Sequence, residues 1–258
     1  MSSLASFPAF KLLPYQNAHA PLCNSISLQR TSSWMYCGPL LPLLEPQLPP
    51  SYHEWHKATV KGDLTADLLP FLSYANSFLS AAGLSHYWLS IRATTPTTDY
   101  DEPRWHTDDD FFHSEKLIRT QWKLVTTLLG PGTLFIEDAN SARAIEAKTK
   151  QESRDACKDH LCNPFNCLGC ATASADIRHR LSDRFEKEEV IQAADGHCCF
   201  FRIGQEQGAV HSEPPHDCDR VFVNIVPGTE DEIQKLMAKW GMTTFPRAWS
   251  VGLPMRAH

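Results

Sequence analysis

Apolar residues recur at near-helical spacing from Leu64 to Ala82: Leu64, Leu68, Leu69, Phe71, Leu72, Tyr74, Phe78 and Leu79, with Gly83 as a stop. That spacing predicts a helix whose apolar stripe is core, kinked or restarted at Pro70. After it the period changes to two. His86 to Thr94 reads as a strand, Pro96 to Pro103 as a turn-rich connection, and Trp105 to Asp108 as a further short strand. Arg119 to Leu129 is rich in β-branched and aromatic residues, and Gly130-Pro131-Gly132 is expected to turn it into a hairpin with Thr133 to Glu137. Glu189 to Ala194 and Gly196 to Gly204 are the next strands.

The clearest helix comes last. Thr229 and Glu232 form a capping box, acidic residues fill the first turn, Ile233, Leu236, Met237 and Trp240 make an apolar stripe, and Gly241 ends it. Residues 1 to 60 are rich in Pro, Ser and Leu, and the run Gly38 to Glu45 followed by Pro46 resists helix and central strand alike. They are expected to form an irregular arm packed on the core. Short strands with turn punctuation, a helix before and a helix after, fit a mainly β chain with flanking helices (α+β) built on a jelly-roll, cupin-like core. The expected organisation is an arm over 1–60 and one catalytic domain over 61–258, interrupted at about 138–187 by a charged, mostly helical, Cys-rich insertion.

Composition narrows the partners. At 258 residues and net charge −6, with no stretch that alternates basic and aromatic residues, the chain offers nothing to nucleic acid. No run approaches the roughly 18 apolar residues of a membrane span, and the first residues lack a secretory signal, so a soluble, cytoplasmic protein is expected. Nine cysteines in such a compartment are expected to be mostly free thiols. The insertion holds Cys157, Cys162, Cys167 and Cys170, a C-x4-C-x4-C-x2-C spacing that admits a structural tetrahedral zinc, although only the last pair has the usual spacing.

The candidate chemistry lies in two distant stretches. In extended chain His106 and Asp108, two apart, project from one face, and His211 can supply a third donor. Two imidazoles and one carboxylate that leave positions open suit iron(II), whereas thiolates would draw zinc or an iron–sulfur cluster. Taken alone, a histidine and an aspartate two apart are common by chance. The order of strand, His-x-Asp, long excursion, strand, histidine, turn and arginine is what raises them above that. His216 competes for the third place, but it follows two prolines in a turn, while His211 sits in an apolar, strand-like context. Arg220 lies nine positions beyond His211 (220 − 211 = 9), across a turn signal at Glu213 to Asp217 that suggests a hairpin with one residue on each arm.

From about Tyr87 to Pro227, with the stretches Lys123 to Thr133 and Ala209 to Pro215 as its most specific pieces, the chain resembles the iron(II)/2-oxoglutarate-dependent oxygenases as a divergent, small member. The resemblance implies a double-stranded β-helix in which His106, Asp108 and His211 bind iron. It also implies that Arg220 holds the distal carboxylate of 2-oxoglutarate, a role for which a guanidinium is better shaped than an ammonium. Dioxygen takes the open position, and a C–H bond of a small molecule, an amino acid or natural-product intermediate, is oxidised while the keto acid is decarboxylated to succinate. Trp122, Lys123, Thr126 and Thr127 are candidates for contacting the co-substrate or substrate, though period-two alternation admits only one set. The alternative from another class is a jelly-roll metal protein without a keto acid, such as a cupin-like isomerase, hydrolase or binding module, which does not require Arg220. A plain structural β protein would bind no stoichiometric metal.

Overall fold

The computed structural model describes residues 8–15, 26–112, 121–156 and 168–253. Its centre is a pair of strands whose burial alternates along their middle residues. In β5 (His86–Thr94) the side chains of Tyr87, Leu89, Ile91 and Ala93 are buried on one face, and in β11 (Arg220–Gly228) Val221, Val223 and Ile225 join them. The alternate residues Ser90, Arg92, Phe222 and Asn224 face the other way, into the site. Around this pair the large sheet runs β1 (Phe10–Pro14), β9 (His197–Arg202), β6 (Trp122–Leu129), β11, β5, β3 (Ser32–Pro39) and β12 (Arg247–Val251). Every pairing in it is antiparallel.

On the apolar face lie α1 (Pro50–Thr59) and α2 (Leu64–Ala81), and Trp34, Tyr52, Trp55, Leu68, Phe71, Tyr87 and Val223 belong to the core between them and the sheet. Burial of each such side chain contributes about 1.5–3 kcal/mol. Helix α2 begins at the cap Asp63, whose carboxylate accepts from the Ala66 amide, and runs through Pro70 as one element. On the other face a small antiparallel sheet orders β10 (His211–Ser212), β7 (Leu134–Ile136) and β8 (Val190–Gln192), while β2 (Ser27–Leu28) and β4 (Val60–Lys61) pair separately. Helices α3 (Ala139–Ala156) and α4 (Leu168–Phe185) cover the small sheet, with Trp105, Ile136, Ala142, Leu181, Phe185 and Val210 in one cluster. The expected insertion therefore buttresses the segments that carry the site. Helix α5 (Glu230–Lys239) carries the expected capping box, and Ile233, Leu236 and Met237 are buried. The chain is mainly β with flanking helices, and its antiparallel sheets are consistent with a jelly-roll-like fold.

Several expectations are corrected. The described residues among the first 60 are not an irregular arm: they supply β1, β3 and α1, and the four consecutive apolar residues Trp34 to Cys37 hide the alternation of β3 in the sequence although its burial alternates from Ser32 to Tyr36. Neither expected hairpin exists. Strands β6 and β7 lie in different sheets, and so do β10 and β11. The turn at Gly130 instead carries the chain between sheets, with φ of +80° and so little room that a Cβ there would sit 2.7 Å from the Asp219 carbonyl oxygen. The same turn chemistry serves both geometries, and only this distant contact distinguishes them. Trp240 leaves the apolar stripe at the helix end and is 68% exposed. Cys157, Cys162 and Cys167, and the side chain of Cys170, lie outside the described residues. Cys37, Cys198, Cys199 and Cys218 are free thiols.

Candidate metal centre

The segment expected as a strand at His106–Asp108 is extended backbone with a single bridge. His106 and His211 exchange amide hydrogen bonds of 3.0 and 2.9 Å, which adds the segment to the edge of the small sheet at β10. That bridge brings two residues far apart in sequence side by side, with ring centroids 4.4 Å apart. Asp108 Oδ1 lies 3.8 Å from His106 Nε2, and Oδ2 lies 3.5 Å from His211 Nε2. Among the described residues, His106, Asp108 and His211 are the group of ligating side chains whose atoms gather within 4.8 Å of one another.

Both imidazoles are aimed. His106 Nδ1 donates to the Arg104 carbonyl at 2.7 Å and His211 Nδ1 to the Ala209 carbonyl at 3.0 Å, which leaves each Nε2 with its lone pair toward the site. His211 packs between the rings of Phe135 and Phe201, and burial pushes its pKa down to about 4 against the opposing charge of Asp108. It is therefore neutral near pH 7, the state a metal requires. Burial alone would raise Asp108, but His211 and Lys123 more than offset it and hold the carboxyl below its ordinary range. Lys123, 13% exposed, places its ammonium 2.6 Å from Asp108 Oδ2.

A cavity of about 270 Å³ opens on these groups, with Arg92, Lys123, Thr133, Glu213 and Asn224 in its wall. The register of β6 settles the open alternation. Val125 pairs with Asn224 and Thr127 with Phe222, so Lys123, Val125 and Thr127 share the site face. Trp122 and Thr126 do not: Trp122 packs on Phe78 and Phe200 under α2, and Thr126 donates to the His197 carbonyl at 2.9 Å. These two are removed from the candidate set. His216 is also separate. Its Nδ1 pairs with the Pro214 carbonyl and its ring stacks on Tyr100 at 5.5 Å.

Arg220 begins β11 on the site face and is 3% exposed. Its Nε donates to the Pro131 carbonyl at 2.9 Å, and its guanidinium lies 4.9 Å from the centre of the Phe222 ring. Nη2 is buried without a hydrogen-bond partner. Burial lowers the Arg220 pKa to about 10, with Glu213 opposing, so the group stays charged at neutral pH. Arg92, which the sequence did not mark, lies 5.0 Å from the centre of the same ring and pairs with Glu213. Burial opposes ionisation of Glu213, but the Arg92 charge and hydrogen bond carry its pKa down to about 2. A polar residue on a strand with alternating burial was the one available signal for Arg92. Glu146 had none, since it lies in the charged insertion, yet it is 2% exposed and holds the peptide between His106 and Asp108.

No protein-family model matches this chain, and no characterised protein matches it in sequence. Among solved structures it is similar to the crystal structure of a Pseudomonas putida prolyl-4-hydroxylase, at 12% identity and a TM-score of 0.32, over 88% of this chain and 95% of that one. Among the described residues no helix is long and apolar enough to cross a membrane.

Proposed function

We propose that the chain is a non-haem iron(II) and 2-oxoglutarate-dependent oxygenase acting on a small molecule, with its facing sheets arranged as a double-stranded β-helix. The observation that carries the reading is the gathering of His106, Asp108 and His211 within 4.8 Å, with both Nδ1 atoms tied to carbonyls. Two neutral nitrogens and one carboxylate suit iron(II) and leave positions open. The buried, unpartnered Nη2 of Arg220 supports an anionic partner, because a guanidinium nitrogen without one is costly.

When bound, iron(II) and the keto acid supply the oxidising equivalents for cleaving a C–H bond, with decarboxylation to succinate. The protein's own part is positioning. His106, Asp108 and His211 hold the metal, Arg220 neutralises the distal carboxylate, and the aromatic walls of Phe201 and Phe222 keep water from the charged groups. Lys123 neutralises Asp108 from the side. Anaerobic titration of the metal-free protein with iron(II) and then 2-oxoglutarate tests the reading through the visible absorption of the chelate. Full iron loading without that band would leave a jelly-roll metal protein that uses no keto acid.

A further inference from the structure

Beside the metal-site cavity lies a second hollow of about 450 Å³, walled by Met35, Trp88, Val226, Trp240, Met242 and Trp249. The two share Lys123 and Asn224. Their continuity is written in the sheet register. Trp249 pairs with Met35, Met35 with Ser90, Ser90 with Asn224, and Asn224 with Val125, a row across five strands on one face. The row starts at two apolar groove residues and passes through Ser90 and Asn224 to Val125 in the cavity wall.

We infer that this groove receives the organic substrate, and that the substrate is a bulky aromatic small molecule carrying a hydrogen-bond donor. The inference rests on the oxygenase reading and names the substrate class of that site. The division of charge decides between occupants. Arg92, Asp108, Lys123 and Glu213 line the cavity with charge, whereas the groove presents Trp88 and Trp249, edge to face at 5.6 Å, and the exposed ring of Trp240. A tryptophan left 68% exposed at the rim is an apolar surface without a covering group among the described residues. Flat rings stack on such walls, and a polar chain would lose its water there without recompense.

The donor is read from Asn224. Its Nδ2 donates to Ser90 Oγ at 3.3 Å, and its Oδ1 is buried with no partner. This residue stands where the two hollows meet, so a ligand N–H or O–H directed at it would fix which carbon faces the metal centre.

Indole and naphthalene, bicyclic aromatics of which indole alone carries an N–H donor, are the probes, titrated by ligand-observed NMR into protein loaded anaerobically with iron(II) and 2-oxoglutarate. Indole is expected to bind without displacing 2-oxoglutarate, about tenfold tighter than naphthalene. Trp249→Ala and Trp240→Ala should each weaken indole by about threefold to tenfold and leave the chelate absorption intact. Asn224→Leu should erase the preference for indole. A chelate that forms while indole fails to bind, binds equally to the Trp variants, or expels 2-oxoglutarate overturns this inference and leaves the oxygenase reading standing. A dimer in solution that Trp240→Ala dissociates would give the groove to a second copy of the chain and overturn it as well. Loss of the chelate band in unaltered protein sinks the oxygenase reading first, whatever indole does.

Discussion

Glu146 holds Thr107 twice: one carboxylate oxygen accepts from the Thr107 amide at 3.0 Å, and the other accepts from its hydroxyl. Thr107 is the residue between His106 and Asp108, the two proposed metal ligands of the extended segment. Lys150, one turn along α3, pairs with the same carboxylate at 2.6 Å and balances its charge. A helix of the insertion therefore grips the backbone from which His106 and Asp108 project. In a site whose ligands sit on irregular chain, such a grip does the work that a full strand ladder would otherwise do.

Replacing Glu146 tests this. Glu146→Ala leaves a buried amide and hydroxyl without their charged acceptor, which is expected to cost about 2–4 kcal/mol of stability, as hydrogen bonds to charged groups are worth about 1.5–3 kcal/mol each. Iron(II) affinity is expected to fall by about 10- to 100-fold, the range for lost supports of ligands. Glu146→Gln keeps an acceptor and should recover most of the affinity. Isothermal titration with iron(II) below the melting transition separates the effects: a destabilised Ala variant with unchanged affinity would make Glu146 a core residue and nothing more.

The ligand set is tested by single substitutions. His106→Ala, Asp108→Ala and His211→Ala each remove a donor from a site with three, so bound iron is expected to fall well below one per chain. His216→Ala should keep full metal loading and lose stability, since that ring is buried against Tyr100 and outside the cluster. Metal analysis after desalting checks both. Loading retained in His211→Ala and lost in His216→Ala would reverse the assignment.

On the proposed reading, Lys123 competes with the metal for Asp108. An ammonium 2.6 Å from the carboxylate stabilises the metal-free site and then repels the incoming cation. Two unit charges about 4 Å apart interact by roughly 4 kcal/mol at the effective dielectric of a partly exposed site. Part of this is lost to solvent and relaxation, so Lys123→Met is expected to tighten iron(II) by about tenfold or more. The measurement is a competition titration against a chelator. Weaker iron binding in Lys123→Met would show that the lysine orders Asp108 and does not oppose the metal.

The His-x-Asp and distant His of the site were legible because ligand identity and two-residue spacing are local properties, and because His211 sits in an apolar run. Long-range pairing was not. Gly130-Pro131-Gly132 announces a turn, but whether the chain returns beside itself or crosses to another sheet is decided by Asp219 and Ala193, whose carbonyls approach the two glycines. Trp122 and Lys123 alternate equally well in either register until Phe222 and Asn224 fix the partner strand. Strand β3 was missed because Trp34 to Cys37 are all apolar, which hides period two in the sequence, and a proline-rich stretch follows it. Arg92 and Glu146 carry no motif; only the folded chain brings one to the cavity wall and the other to the metal segment.

Arg220 decides whether a keto acid is part of the chemistry. The structure removes one competing partner, because Asp219 Oδ2 already accepts from the Leu28 amide at 2.7 Å. Of the guanidinium, Nε is satisfied by the Pro131 carbonyl, while Nη2 is buried and unpaired. Glu213 attracts it by charge but accepts its hydrogen bond from Arg92. A carboxylate from a ligand would complete the set, and losing one partner of such a charged contact costs about 2–5 kcal/mol. Arg220→Ala is therefore expected to raise the dissociation constant of 2-oxoglutarate by roughly 30-fold or more, and Arg220→Lys by less, since a point charge keeps the attraction and loses the fork. Iron(II) affinity should stay within about twofold, a bound set by the absence of Arg220 from the ligand group. The measurement is 2-oxoglutarate binding to iron-loaded protein alongside the melting temperature of each variant. If Arg220→Ala lowers the melting temperature while 2-oxoglutarate binds as before, the arginine only ties Pro131 and Phe222 together, and the cavity takes no keto acid through it.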